Sequence, residues 1–162
     1  MMKALTVWQP WATLIAIGAK PYEFRGWQPP KWIIGKRIAI HAAARPMKLP
    51  EVYDLHARLS NPSRGETPCL HAALALPLLA RILEAGKGTL PTSLPLSHVV
   101  CTAIVGEPKR GDACAAEFGE AAGNDSDRDD TFNWGWPMLE VDELTPPLPA
   151  RGAQGIWNWS GA

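Results

Sequence analysis

Apolar positions follow two rhythms along the chain. Ala4–Val7 reads as a strand. Trp11, Leu14 and Ile15 then share one helical face, while Ala12 and Ile17 leave no polar one. Pro10 at the start and Gly18 past the end punctuate a helix, and a helix apolar all round is expected to be buried. From Tyr22 the period drops to two: Glu23, Arg25 and Trp27 fall on one face of an extended segment, Tyr22, Phe24 and Gly26 on the other. Arg37–Ala42 is a second strand, with Ile38 and Ile40 on one side and Ala39 and His41 on the other.

Leu49–Leu59 has helical spacing, and Asn61–Pro68 reads as a polar loop. Leu70–Ala85 is an Ala/Leu-rich helical stretch interrupted at Pro77 and stopped at Gly86. Gly88–Ser97 is a connector. His98–Val105 is apolar on both alternating faces, as in a strand covered on both sides. Gly111–Thr131 is acidic and aperiodic, which predicts a mobile surface loop. Phe132–Val141 and Gly155–Trp159 are the closing strands, joined by the proline-rich Thr145–Arg151. These elements predict an α+β fold, a small, bent β-barrel of about five or six strands with a buried N-terminal helix and a helical insertion.

Length adds that one domain over residues 1–162 can bury a core without disulfides or metals. Cys69, Cys101 and Cys114 are odd in number and lack CxxC spacing, which fits a reducing cytosol and a cytoplasmic protein rather than a disulfide framework or zinc site. No apolar run reaches the roughly 18 residues of a membrane span, and no secretory signal opens the chain. His56, His71 and His98 lack metal-ligand spacing, and neither a metal nor another cofactor is expected.

Charge changes the picture more. The net charge is zero, yet residues 1–50 carry eight Lys/Arg against one acid, and residues 111–162 carry two Arg against ten Asp/Glu. That distribution excludes a uniformly basic nucleic-acid binder and allows a locally positive cleft. The eight tryptophans come in pairs: Trp8/Trp11, Trp27/Trp32, Trp134/Trp136 and Trp157/Trp159. Indole offers apolar area, one donor and a stacking face, so the pairs serve a core, a ligand cleft or both.

Three motifs together resemble the ASCH domain (activating signal cointegrator homology), a branch of the PUA-like β-barrels: Trp8–Ala12 (WQPWA), Gly18–Trp27 (with Lys20, Glu23, Arg25 and Trp27) and Ile40–Ala43 (IHAA). The resemblance continues through Leu94–Leu96, Trp134–Trp136 with Leu139–Val141, and Gly155–Trp157, leaving 51–90 and 107–131 as insertions. It implies a cleft between the helix and the barrel that binds RNA, a nucleotide or a modified nucleoside. It also brings alternatives: a ribonuclease, an amidohydrolase acting on N4-acetylcytidine-like nucleosides, or a protein-interaction module of the coactivator type. Of the lysine, threonine and distant glutamate that the related amidohydrolase uses, Lys20 matches the first. Glu23 stands where the threonine would be, and the glutamate has no match.

The candidate ligand-binding residues are Trp8, Gln9, Trp11, Lys20, Glu23, Arg25, His41, Arg45 and Trp134; Lys20 and Glu23 would be catalytic in an enzyme. Aromatic rings can stack a base, cations can hold phosphate, and Gln9 or Glu23 can read a base edge. Each has a plainer reading. Lys20 can be a solvated turn lysine at a helix C-terminus, and Glu23 and Arg25 a same-face ion pair. His41 can be a satisfied core histidine, and Trp134 barrel packing. The sequence leaves the base, the oligomeric state and any chemistry open.

Overall fold

The two rhythms meet as one bent sheet wrapped against a buried helix. The computed structural model describes residues 1–86, 94–119, 122–123 and 133–161. Its strands are β1 (Met2–Val7), β2 (Tyr22–Arg25), β3 (Arg37–Ala42), β4 (Thr67–Pro68), β5 (His98–Val105), β6 (Lys109–Arg110), β7 (Ala122–Gly123), β8 (Trp134–Pro149) and β9 (Ile156–Trp159). Helices are α1 (Trp11–Ala16), α2 (Leu49–Ser60), α3 (Ala72–Ala85) and α4 (Gly111–Ala116). The main sheet runs β2-β8-β5-β3-β1-β9, with β6 also on β8. All its pairings are antiparallel except β1 with β3.

The curl comes from β8. Its first residues pair with β2 and β6, and from Met138 onward it pairs with β5. Register slips between Thr102 and Ile104, where Glu140 adopts φ 45°. Such bulges bend a strand and sharpen its twist. The result is a half-barrel, with β2 and β9 as the ends of the hydrogen-bonded path.

Inside it, Ala12, Ile15 and Ala16 of α1 pack on Leu5, Val7, Ile38, Ile40, Val100, Ala103, Val105 and Trp136. Leu14 and Ala19 turn the other way, against Val52, Leu55 and Leu59 of α2 and Leu78, Leu79 and Ile82 of α3. Apolar residues on both sides of α1 are thus explained: the sheet takes one and the α2–α3 pair the other.

Several expectations need correction. The α3 helix runs unbroken through Pro77, held by the apolar face it buries under α2. Thr145–Pro149 continues β8 rather than connecting strands, with Leu148 opposite Val99. The polar segment 61–68 ends in β4, which pairs with β7. Within the expected loop Gly111–Thr131, residues 111–116 form α4, with Gly111 and Cys114 buried. The rest of that expectation, apart from 117–119 and 122–123, lies outside the described residues, as do 88–93 of the expected connector and Phe132.

Candidate ligand-binding hollow

Where α1 ends, Gly18 takes φ 79°, and the Ala19 and Lys20 amides both return to the Leu14 carbonyl at 2.9 and 3.0 Å. This reversal folds the chain back under the helix, so Lys20 is buried, not a solvated turn residue. Its Nζ lies 4.8 Å from the centre of the Trp11 ring and 5.0 Å from that of Phe24. Two ring faces offset part of the cost of taking an ammonium from water.

From there β2 carries Glu23 and Arg25 on one face, as the period-two pattern requires. The Arg25 Nε stands 3.8 Å from Glu23 Oε1, and its Nη2 donates to the Thr6 carbonyl at 2.8 Å. Glu23 Oε2 and Arg25 Nε are both buried with no hydrogen-bond partner. Trp27 lies just beyond the strand, half exposed, with its ring edge-on to buried Trp136 at 4.7 Å. Trp136 Nε1 donates to the Trp27 carbonyl at 3.0 Å, which fixes that turn.

Trp8 follows β1 and is 54% exposed. One of its faces carries the Arg45 guanidinium, 4.1 Å from the ring centre and paired with Glu51 at 3.0 Å. Trp8, Arg25 and Trp27 line a hollow of about 350 Å³ with Thr6, Ala153, Gln154 and Gly155. That volume lies at the small end of ligand sites. Trp8 also borders another hollow, of about 400 Å³, lined by Trp11, Pro10, Leu55, Arg58, Glu51 and Asp54.

Two predicted ligand groups serve the fold instead. Gln9 is buried: its Oε1 accepts from the Thr13 amide at 3.0 Å, and its Nε2 donates to Thr13 Oγ1 and the Pro95 carbonyl at 2.8 and 2.9 Å. Both N–H groups and the oxygen are engaged, so it caps α1 rather than reading a base edge. His41 is also buried, its Nε2 donating to the Ala150 carbonyl at 2.8 Å and its Nδ1 3.2 Å from Thr6 Oγ1. Burial holds its pKa below the ordinary 6.5 despite the Ala150 carbonyl. A neutral ring with its N–H on Ala150 accepts from Thr6, and Thr6 in turn accepts from Trp157 Nε1 at 3.0 Å.

The structure thus brings together Trp8 and Arg25 from the candidates, with Glu23 and Arg45 behind them. Lys20 lies buried beneath α1, Trp11 opens that helix and lines the other hollow, and half-buried Trp134 packs on the core opposite Arg25 in the sheet. Sequence reasoning missed Trp27, Thr6 and the 153–155 wall as site residues. The Gly152 and Gly155 bracket around Ala153-Gln154 was the available signal, since it marks a backbone segment laid close against something. Gly152 does lie that close: a Cβ there would stand 2.5 Å from His41 Cε1. Among the described residues no group of His, Cys, Asp and Glu could hold a metal, and no helix is long and apolar enough to cross a membrane.

No protein-family model matches this sequence, and no curated protein does. Solved structures do. The crystal structure of ASCH from Zymomonas mobilis aligns with a TM-score of 0.52 over 98% of this chain and 87% of that one, at 12% identity. A mutant of the same Zymomonas mobilis protein aligns with a TM-score of 0.52 over 98% and 90%, at 13% identity. At such identity the likeness speaks for architecture. The half-barrel with its enclosed helix is the ASCH fold.

Proposed function

We propose that this protein binds a nucleobase-bearing ligand, with single-stranded RNA the best match, in the hollow bounded by Trp8, Arg25, Trp27 and residues 153–155. The observation that carries this is the convergence of two exposed indole rings and a guanidinium on one small hollow that no carboxylate lines among the described residues. Indole faces stack bases of any identity. The planar Arg25 fork, anchored through Nη2 on Thr6, suits phosphate or a base carbonyl. Arg45 holds the Trp8 ring from behind and keeps its charge near. The ASCH fold is compatible with this reading.

Hydrolysis by Lys20 and Glu23, the expectation for an amidohydrolase or a ribonuclease, gains no such support. Neither residue lines that hollow, and both are over 90% buried. The reading is therefore one of binding.

Fluorescence anisotropy with a labelled single-stranded RNA tests it. Trp8→Ala should weaken binding by about 1–3 kcal/mol, the usual worth of one stacked base, and affinity should fall with added salt as phosphate counterions are released. Trp8 is exposed, so the substitution leaves the fold intact. Binding that ignores both Trp8→Ala and salt, or no binding at all, would refute the proposal.

A further inference from the structure

The base-sized hollow is one of two that touch. A second, of about 390 Å³, is lined by Thr6, His41, Ala44, Ser97, Arg151, Gly152, Ala153 and Gln154. It shares Thr6, Ala153 and Gln154 with the first, so the two form one groove with a saddle at Thr6 and Gln154. Each half holds one arginine, Arg25 in the first and Arg151 in the second, and among the described residues neither half is lined by a carboxylate. The other hollow beside Trp8 is different, since Glu51 and Asp54 line it together with Arg58, which is paired with Asp54 at 2.9 Å. An anion is therefore directed to the groove and away from its neighbour.

The second half is also poised. Arg151 is exposed and makes no ion pair or hydrogen bond among the described residues. The Ser97 backbone is fixed at φ 55° by its amide on the Ala42 carbonyl at 2.9 Å and by the Ala150 amide on its own carbonyl at 3.0 Å. The wall between is set rigidly, because Gly152 abuts His41 and His41 bonds to Ala150. The two indole rings belong to the first half, and the second, of similar size, is lined by the His41 ring, small residues and Arg151.

We infer that the ligand is a strand rather than a lone nucleotide: one base stacks in the Trp8–Trp27 half, and the adjoining nucleotide lies in the Arg151–Ser97 half. The linking phosphate crosses the saddle between Arg25 and Arg151. This rests on the reading of the first hollow as a base site and adds the minimum unit of recognition, a dinucleotide step.

The test measures binding of the four ribonucleoside 5′-monophosphates and the corresponding homodinucleotides and homotetranucleotides to the native protein, Arg151→Gln and Trp8→Ala. A dinucleotide should bind the native protein roughly tenfold or more tighter than the monophosphate, the worth of one hydrogen bond to a charged group. Arg151→Gln should bring dinucleotide affinity down toward that of the monophosphate. It should also make the salt dependence shallower by about 0.7 in log–log slope for one lost phosphate contact on a single strand. Trp8→Ala should weaken every ligand. Monophosphates and dinucleotides binding equally, or Arg151→Gln leaving dinucleotides unaffected, overturns this inference and spares the base site. Absence of binding by all of them, or binding indifferent to Trp8→Ala, overturns both.

Discussion

Gly152→Ala is the sharpest structural probe of the groove. A Cβ built there meets His41 Cε1 at 2.5 Å, His41 Nδ1 at 2.6 Å and Thr6 Oγ1 at 2.9 Å. None of these is the free end of a flexible chain. The His41 ring is bonded at both nitrogens and packed edge-on to Trp157, 5.4 Å between centres. Relief requires either moving the ring, at about 1 kcal/mol for each weakened hydrogen bond, or lifting the 150–154 backbone off the sheet. Overpacking of this kind costs about 1–3 kcal/mol. We expect a loss near 2 kcal/mol in urea unfolding with the m-value unchanged, and a fall in Tm of about 4–8 °C for a chain of this size. In a His41→Ala background the two closest atoms are gone, so the same substitution should cost at least about 1 kcal/mol less. A loss under about 0.5 kcal/mol in the native background, or equal losses in both, would refute the close packing of this wall.

Stability should also respond to His41 titration. Its folded pKa lies below the unfolded 6.5. The unfolded chain therefore binds more protons just below pH 6.5, and the contribution, complete above that pH, is lost as pH falls toward the lowered value. The urea midpoint should drop between pH 7.5 and 5.5, with a shallower slope in His41→Gln. Tyr22 is bridged to Glu117 and Lys109 at 2.6 and 3.0 Å, and burial first, then Glu117, raises its pKa above 10.0. In Tyr53→Phe the phenolate absorbance should emerge above pH 10, and adding Glu117→Gln should move it down. All three thiols are buried, with Cys101 pushed up to about 12 and Cys114 to about 11 by desolvation. Native protein at pH 8 should resist a disulfide-exchange reagent that labels every cysteine in denaturant; rapid native labelling would contradict the packing.

The strands and helices whose residues repeat at a clear period were legible: β1, β3, β5 and α2 lie within a residue or two of where spacing put them. Periodicity failed where a tertiary partner decides the outcome. Pro77 looks like a break until the burial of Leu78, Leu79 and Ile82 is set against it. Thr145–Pro149 looks like a linker because its prolines obscure a strand whose partner, β5, lies about 50 positions earlier. The site was half legible for the same reason. Trp8 and Arg25 advertised themselves as an aromatic and a cation on short motifs, whereas the opposing 153–155 wall carries small, ordinary side chains. Gln9 and His41 look like ligand groups in a linear reading, since Pro95 and Ala150, the carbonyls that occupy them, are remote in sequence.

Thr6 receives the indole N–H of Trp157 across 151 positions of chain. Pairings this distant in sequence are slow to form, and during synthesis this one must wait until residue 157 has emerged. A fragment stopping short of residue 153 would present Trp8 and Trp27 with no opposing wall. On the proposed reading, ligand would then report the finished molecule and ignore its precursors.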